Sequence, residues 1–561
     1  MTEPARTFEP VNVAARLTAW ARQMPDGLAV IEPLGYGPAG KRRYRHVTFK
    51  QLDDDSSRIA RGLRDLGVEP GMRLALLVRP GIDFVSLVFA LLKSGAAMIL
   101  IDPGMGRGNL LRCLAEAEPD GFVAIPLAQA VRALVRHRFP KARFHVTVGR
   151  RWFWGGSTLD RLRGTSTGGD LPRTAARDPA AIIFTTGSTG PPKGVLFTHG
   201  NFDAQVEEIR DFYGIEPGEV DLPAFPMFGL FNCAMGVTAV IPDMDPSRPA
   251  TADPRKLVEA IDDWRVTQMF ASPAVLNRLG PYCEERGVRL ATIRRVLSAG
   301  APISARVLAR MKRCIHPEGD VHTPYGATES LPVASIGASE VLGETAAETA
   351  RGAGVCVGRR FPRIDWKVIS IVEGPIESLD AVDELPPGEI GELIVRGPVV
   401  TRRYVTRPES NALGKIVDGP DVWHRVGDVG YFDRQGRFWM CGRLAHRVLT
   451  PDGPMYTVPC EAVFNQHPDV YRSALVGVGR PGLQRPVIVI EPLKHRVPRT
   501  RRSRANLLAE VRELGKANPR TARIDDFLLH RAFPVDVRHN AKIFREKLAV
   551  WAARKLGSAA P

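Results

Sequence analysis

The sequence has few cysteines, and none of them is placed for cross-linking or metal binding. The seven thiols are scattered through 561 residues, with no CxxC pair and no histidine at ligand spacing. Their positions are Cys113, Cys233, Cys283, Cys314, Cys356, Cys441 and Cys460. This distribution argues against a disulfide framework and a structural zinc site, and it favours a reducing compartment.

Long apolar runs and a secretory leader are also missing. The most apolar stretch, residues 84–101, is interrupted by Lys93 and Ser94 and falls short of a clean bilayer span. The first residues, MTEPARTFEP, lack a basic segment followed by an apolar core. We therefore expect no signal peptide, a cytoplasmic location and at most peripheral contact with a membrane.

Acidic residues are outnumbered, 61 against 77 lysines and arginines, which gives a formal charge of +16. A basic surface attracts phosphates, nucleic acid or anionic lipid without selecting among them. The densest basic stretch, residues 494–504, carries no interleaved aromatic residues on which bases could stack. We expect it to be a solvated basic loop, and we expect no nucleic-acid partner.

The chain is too long for one compact core, and the pattern of its apolar residues changes along its length. Aliphatic runs alternate with helical periodicity through the first 440 residues, which predicts parallel strands joined by crossover helices. Strand-rich runs separated by turns follow, with a hairpin predicted at 431–441. A further α+β segment completes the chain. We predict an α/β protein with a large domain at 1–442 and a small one at 443–561.

The segment after a predicted strand at 181–184 has the composition of a phosphate-binding loop. It reads TTGSTGPPKG, in which glycines let the backbone approach a polyphosphate, hydroxyls can donate to its oxygens, and Lys193 adds a positive charge. The other candidate ligands are Thr185, Thr186, Gly187, Ser188, Thr189 and Gly190. Because Pro192 precedes the lysine and Gly194 follows it, this is not a Walker A loop.

TTGSTGPPKG resembles the signature loop of the acyl-adenylate-forming superfamily, which includes acyl-CoA synthetases, luciferases and adenylation domains of peptide synthetases. Further segments resemble that superfamily in its order along the chain: SAGAP at 298–302, YGATE at 325–329, WHRVGD at 423–428 with Gly442-Arg443, and NAKI at 540–543. The resemblance covers nearly the whole chain. It implies a large α/β body with parallel sheets and a β-rich subdomain, plus a small mobile α+β domain, with the active site between them.

The resemblance also implies ATP and Mg²⁺ as cofactors and a role for each matching residue. Gly300, Ala301, Pro302, Tyr325 and Gly326 would surround adenine, and Asp428 and Arg443 would hold the ribose and phosphate. A carboxylate suits a vicinal diol because it accepts two hydrogen bonds at once. The catalytic candidates are Lys193, Thr328, Glu329 and Lys542. Glu329 would also bind Mg²⁺, a hard cation that takes oxygen ligands and needs few protein carboxylates when phosphates supply the rest.

Several positions differ from relatives that form thioesters. Ala445 stands at a hinge position that is usually Asp or Lys, and residues 446–454 replace a glycine-rich stretch. Gly229 stands where fatty-acid relatives commonly carry histidine. These differences leave adenylation in place and argue against transfer to a thiol.

Three segments, IDPGMGRGNL at 101–110, YGATESLP at 325–332 and PVDVRHNAKIFREKL at 534–548, are similar to the β-lactone synthetases of bacterial long-chain olefin biosynthesis. That similarity implies a long-chain 2-alkyl-3-hydroxyalkanoic acid as substrate. Its own 3-hydroxyl would expel AMP and close a β-lactone, with the proximity advantage of an intramolecular nucleophile. Whether the chain works in an assembly with other olefin-pathway enzymes stays open at this point.

Two alternatives remain. One is a long-chain fatty acyl-CoA synthetase or a fatty acyl-AMP ligase, which thioester formation would distinguish from a lactone-forming enzyme. The other is a noncatalytic adenylate-binding or membrane-surface protein, suggested by the basic charge and the altered motif positions. The joint presence of Lys193, Glu329, Asp428, Arg443 and Lys542 argues against the noncatalytic alternative.

Overall fold

The first of two large sheets is parallel apart from one edge strand. The computed structural model describes residues 11–38, 40–164, 169–185, 191–225, 228–535 and 543–557. The strands of this sheet lie in the order Ser157–Thr158, Phe144–Thr147, Gly121–Ala124, Arg73–Leu77, Ala97–Leu100, Pro179–Phe184 and Gly194–Thr198. Only the last pair is antiparallel among these described strands. Strand Ala97–Leu100 is buried at every position, as is typical of strands covered by helices on both faces.

The second, longer sheet changes from parallel to antiparallel along its length. Its mainly parallel half has the order Arg42–Thr48, Leu28–Tyr36, Thr238–Val240, Val220–Pro223, Gln268–Ala271, Arg295–Ser298 and Asp320–Ala327. Its antiparallel half continues with Ser330–Gly337, Val355–Arg360, Phe438–Arg443, Asp421–Phe432, Gly391–Arg396 and Asp365–Ile369, and Lys415–Asp418 pairs with Asp421–Phe432. The hairpin predicted at 431–441 is confirmed, because Phe432 pairs with Phe438 across its turn.

Helices alternate with these strands along the chain. They are Ala14–Gln23, Phe49–Asp65, Ile82–Ser94, Arg107–Glu116, Pro126–Leu134, Leu159–Gly164, His199–Tyr213, Phe228–Met235, Pro254–Trp264, Pro273–Arg286, Ala305–Cys314, Ala338–Glu340, Ala346–Ala350 and Glu409–Gly414. Helix Ile82–Ser94 ends at Ser94, because Gly95 adopts the left-handed conformation that terminates it. None of the described helices is both long and apolar enough to span a bilayer.

The described strands after Arg443 pair only with one another. Val448–Thr450 pairs with Gly453–Met455, and Val470–Val478, Arg485–Pro492 and Asp526–Leu529 form a separate sheet. The helices here are Thr457–Phe464, Arg501–Lys516 and Arg545–Leu556. Two hydrophobic clusters consist entirely of residues after 447. The α/β class with an α+β segment at the C-terminus is therefore confirmed.

The basic stretch 494–504 is exposed, as predicted, but it is not entirely a loop. Arg501, Arg502 and Arg504 belong to the first turn of helix Arg501–Lys516. Thr500 and Ser503 cap this helix reciprocally, each side chain accepting a hydrogen bond from the backbone of the other. This capping box is the local signal that starts the helix there.

The carboxylate of Asp221 is buried in the interior of the long sheet. Asp221, in strand Val220–Pro223, is 2% exposed and accepts a hydrogen bond from Asn232 Nδ2 at 2.6 Å. Burial raises the pKa of Asp221 to about 7, although the bond from Asn232 and the charge of Arg295 oppose the rise. The folded chain therefore keeps this proton at pH values where an unfolded chain has released it.

We predict that Asp221→Asn changes how stability depends on pH. Between about pH 4 and 7 the folded wild type binds more protons than the unfolded chain, so its stability falls as pH rises. Asparagine cannot titrate, so the unfolding free energy of the variant relative to wild type should rise through this window. Thermal unfolding across it measures the effect, with Asp160→Asn at an exposed carboxylate as the matched control. Parallel profiles for D221N and wild type would contradict the prediction.

Candidate active site

The predicted phosphate loop is closed at its base by two backbone donors. The Lys193 N–H donates to Thr185 Oγ1 at 3.0 Å, and the Thr185 N–H donates to the Lys193 carbonyl at 3.0 Å. The Gly194 N–H donates to Thr406 Oγ1 at 2.7 Å, which fixes the exit of the loop to the segment around residue 404. The predicted ligands Thr186, Gly187, Ser188, Thr189 and Gly190 lie outside the described residues.

Glu329 lies at the turn between strands Asp320–Ala327 and Ser330–Gly337 and is 9% exposed. Tyr404 Oη donates to Glu329 Oε1 at 2.6 Å. The backbone carbonyl of Glu329 accepts from the Thr401 N–H at 2.9 Å and from Thr401 Oγ1 at 3.0 Å. Lys193 Nζ stands 4.8 Å from the centre of the Tyr404 ring. Tyr404 thus connects the predicted phosphate-loop lysine to the predicted metal-binding glutamate.

The surroundings of Glu329 keep it ionised. Burial would raise the pKa of Glu329, but His424 when protonated, the Tyr404 hydrogen bond and the charge of Lys415 hold that pKa below its ordinary value. Burial and Lys415 lower the pKa of His424 to about 3, so the imidazole is neutral near pH 7. At neutral pH the hydrogen bond from Tyr404 therefore stabilises the carboxylate, and Lys415 adds to this while it is protonated.

His424 has a structural partner. Its Nδ1 is 2.9 Å from the Gly414 carbonyl. A neutral, buried imidazole with its Nδ1–H donated to a backbone carbonyl positions the strand it belongs to. Nothing in this arrangement requires it to act as a base.

A second carboxylate, that of Asp428, joins two other predicted nucleotide-binding residues. Asp428 and Arg443 are paired across the hairpin of Asp421–Phe432 and Phe438–Arg443. Arg443 Nη1 donates to Asp428 Oδ1 at 2.9 Å, and Tyr325 Oη donates to Asp428 Oδ2 at 2.5 Å. Burial, together with Asp428, raises the pKa of Tyr325 well above its ordinary value, so the phenol stays protonated as a donor.

One cavity of about 3350 Å³ contains both carboxylates. The described site residues predicted from the sequence all line it: Thr185, Lys193, Gly300, Ala301, Pro302, Tyr325, Gly326, Thr328, Glu329, Asp428 and Arg443. From the C-terminal segment Ile543, Phe544 and Arg545 also line it, whereas Lys542 lies outside the described residues. The motifs therefore converge on a single cavity, although they are far apart in the sequence.

The cavity has an apolar wall that sequence reasoning missed. The rings of Phe228 and Phe270 stack with centroids 3.5 Å apart, and Phe84, Phe225 and Phe231 line the cavity beside them. The signal was present in the closely spaced phenylalanines of residues 225–231. Tyr404 and Lys415 were also missed, because neither belongs to a motif. The cavity combines a charged end with an apolar end, which suits the activation of an acyl carboxylate.

A family model described as AMP-binding enzyme matches residues 17–405. The chain belongs to the AMP-binding enzyme family. It is 47% identical to a chain of Xanthomonas campestris pv. campestris named olefin beta-lactone synthetase, over 99% of this chain and 100% of that one. It is 45% identical to a chain of the same name from Stenotrophomonas maltophilia, over 98% and 99% respectively.

The fold of the family is also found in solved structures. O-succinylbenzoate coenzyme A synthetase from Bacillus subtilis, in complex with ATP and magnesium ion, superimposes with a TM-score of 0.72. The alignment covers 97% of this chain and 100% of that one at 20% identity. The resemblance to the adenylate-forming superfamily is thus confirmed for family and fold.

We predict that Glu329→Gln strongly raises the Mg²⁺ concentration needed for acyl-adenylate formation. A neutral amide is a poorer ligand than a carboxylate for a hard dication. Titrating Mg²⁺ in a pyrophosphate-release assay measures the shift. Tyr404→Phe should give a smaller shift, because it removes a hydrogen bond and keeps the carboxylate.

Glu409→Gln is the matched control, since Glu409 is exposed at the start of helix Glu409–Gly414. An unchanged Mg²⁺ titration for E329Q would show that the metal is held by other groups.

Proposed function

We propose that this chain is an ATP-dependent β-lactone synthetase of olefin biosynthesis. It adenylates the carboxylate of a long-chain 2-alkyl-3-hydroxyalkanoic acid, and the 3-hydroxyl of the same substrate then displaces AMP to give the lactone. The observation that carries the proposal is the 47% and 45% identity, over almost the entire chain, to two olefin beta-lactone synthetases. The matched regions span the segments that line the cavity as well as the nucleotide motifs.

ATP and Mg²⁺ are the proposed cofactors, and the residues of the cavity fit both. Glu329 is a buried, ionised carboxylate on the cavity wall. Mg²⁺ binds one or two carboxylates and takes its remaining ligands from phosphates and water, so this carboxylate suffices. Asp428 would accept from the ribose hydroxyls, with Arg443 donating beside it. Lys193 and Thr328 would contact phosphate oxygens, and Mg²⁺ would neutralise charge on them.

We assign residues 443–561 to a mobile C-terminal domain that carries Lys542 to the cavity. The residues on either side of 536–542 support this placement. Val535 and Ile543 form an antiparallel bridge, and the Phe544 N–H donates to the Pro534 carbonyl at 2.9 Å. Since Ile543 lines the cavity, the preceding lysine is proposed to stabilise charge on the α-phosphate and carboxylate oxygens during adenylation.

The shape of the cavity suits an acid with two alkyl chains. Three neighbouring strands of the first sheet each contribute two consecutive residues at their carboxyl ends: Leu76 and Leu77, Leu100 and Ile101, which directly follows its strand, and Ile183 and Phe184. Consecutive residues of a strand point to opposite faces, so the cavity extends over the sheet edge onto both faces. The first arm is the apolar wall described above, which contains the stacked rings of Phe228 and Phe270. The second arm is lined by Leu110, Leu111, Leu114 and Phe139, which belong to the same hydrophobic cluster as Leu77, Ile101 and Phe184. We propose that the 2-alkyl substituent and the main chain each occupy one arm.

The first prediction of this proposal concerns the product. A 2-alkyl-3-hydroxyalkanoic acid should be converted with ATP and Mg²⁺, without coenzyme A, to AMP, pyrophosphate and a β-lactone. The 3-deoxy acid should stop as enzyme-bound acyl-AMP, because it has no internal nucleophile. Mass spectrometry of the products decides the matter. Acceleration of AMP release by coenzyme A, with acyl-CoA formed from the deoxy acid, would identify a CoA ligase instead.

The second prediction is that Lys542→Ala abolishes acyl-AMP formation and leaves ATP binding mostly intact. Loss of one charge-stabilising group of this type costs on the order of 10² to 10³ in rate. Single-turnover adenylation together with equilibrium ATP binding measures the two effects separately. Lys547→Ala is the matched control, because Lys547 is an exposed lysine five positions further on. Near-normal adenylation by K542A would remove Lys542 from the mechanism.

A further inference from the structure

Residues 121–159 contain no aspartate or glutamate. At the average of the chain, 61 acidic residues in 561, a stretch of 39 residues would carry about four. The same stretch has seven basic residues: Arg132, Arg136, Arg138, Lys141, Arg143, Arg150 and Arg151. A stretch with charge of one sign is a candidate for binding a surface of the opposite sign.

The fold concentrates this stretch at one edge of the first sheet. Strands Gly121–Ala124 and Phe144–Thr147 are neighbours there, with helix Pro126–Leu134 following the first and the segment 148–156 following the second. The two connections touch, since a Cβ placed on Gly149 would lie 3.9 Å from Pro126 Cγ. The helix and the segment therefore form one continuous surface.

That surface exposes large apolar side chains among its arginines. Leu127 and Leu134 are 70% and 78% exposed, and Val131 lies between them at helical spacing, so the three share a face. Trp152 and Phe153 are 57% and 75% exposed. We call these five residues, with the exposed Arg136, Arg138, Arg150 and Arg151, the basic-aromatic patch. Among the described residues, no carboxylate forms an ion pair with these four arginines.

The patch is continuous with the substrate cavity. Leu127 and Val131 line the cavity as well as being exposed, and Leu110 and Leu114 of the second arm line the same cavity. The cavity therefore reaches the protein surface within the basic-aromatic patch. An alkyl chain entering there would pass directly from an apolar exterior surface to an apolar interior one.

We propose that the basic-aromatic patch docks on an anionic phospholipid bilayer and that the acid substrate enters the second arm from that bilayer. Arginines attract anionic headgroups, and tryptophan, phenylalanine and leucine insert at the boundary between headgroups and acyl chains. Exposed leucines gain no favourable contact from the charged backbone of a nucleic acid, whereas they can insert into a bilayer. The patch therefore favours an anionic lipid surface over nucleic acid. Docking is independent of the proposed function, whereas the entry route rests on it.

Vesicle sedimentation tests the docking. Wild-type protein should bind vesicles that contain phosphatidylglycerol, should bind vesicles of phosphatidylcholine alone much more weakly, and should lose binding as salt rises. The double variant Trp152→Ser, Phe153→Ser should bind the anionic vesicles about ten-fold less or weaker, because the inserting rings are gone. Both residues are exposed, and unchanged thermal unfolding would show that the fold is intact.

Two matched controls use features that the chain has elsewhere. Leu483→Ser removes a 71% exposed leucine outside the patch. Arg501→Glu with Arg502→Glu inverts charge in the other basic stretch, which has no aromatic residues. Both should bind anionic vesicles nearly as wild type does. Equal binding by the Trp152/Phe153 variant and wild type, or no vesicle binding by wild type, would overturn the docking proposal. Self-association of wild type that is lost in that variant, without vesicle binding, would assign the patch to a second copy.

Acyl-AMP formation tests the entry route. With a long-chain 3-hydroxy acid supplied in anionic vesicles, the Trp152/Phe153 variant should turn over several-fold more slowly than wild type. With a short-chain acid that is dissolved in water, the two should have the same rate. Equal rates on the vesicle-borne acid would overturn the entry route and leave the docking result unaffected. Absence of lactone from either substrate, with vesicle binding intact, would instead count against the proposed function alone.

Discussion

The carboxylate of Glu329 stays ionised although it is almost out of contact with water, and several neighbouring groups stabilise its charge. Desolvation penalises a buried charge unless partners replace the lost water. Tyr404 donates to the carboxylate, Thr401 saturates the backbone carbonyl of the same residue, and Lys415 supplies a positive charge nearby. Burial lowers the pKa of Lys415 to about 7, although Glu329 opposes the change. The two buried groups therefore depend on each other for their charge.

The same segment also fixes the phosphate loop. Thr406 accepts from the Gly194 N–H, and Lys193 lies over the Tyr404 ring. Segment 401–415 therefore sets the distance between Lys193 and Glu329. Preorganised charges of this kind do not need to rearrange when charge develops on the substrate, which is how enzymes gain most from electrostatics. As a consequence, a structural change in segment 401–415 would disturb both the phosphate loop and Glu329.

The residues recognised from the sequence and those that were missed differ in a physical way. Asp428, Arg443 and Tyr325 were predicted because they belong to short motifs, and the structure joins them through one carboxylate. Tyr404 and Lys415 act through tertiary contacts and leave no local pattern, so no spacing in the sequence indicates them. Strand and helix positions were predictable from periodicity. The start of helix Arg501–Lys516 is set by a capping box of Thr500 and Ser503, and a prediction made from the basic charge of 494–504 did not take it into account. The phenylalanines of residues 225–231 were visible in the sequence, but the stacking of Phe228 on Phe270 required the fold, because the two rings come from different elements.

The two-arm cavity follows from the geometry of a parallel sheet. In such a sheet neighbouring strands end at the same edge, and the final two residues of each strand point to opposite faces. A ligand held at that edge, beside Thr185 at the end of strand Pro179–Phe184, can therefore reach apolar side chains on both faces without any insertion in the fold. A linear acyl chain needs only one of these faces. A branched acid with two long substituents at adjacent carbons can use both while its carboxylate and hydroxyl remain together at the polar edge. That arrangement keeps the nucleophile within reach of the activated carbonyl, which is the condition for ring closure to compete with water.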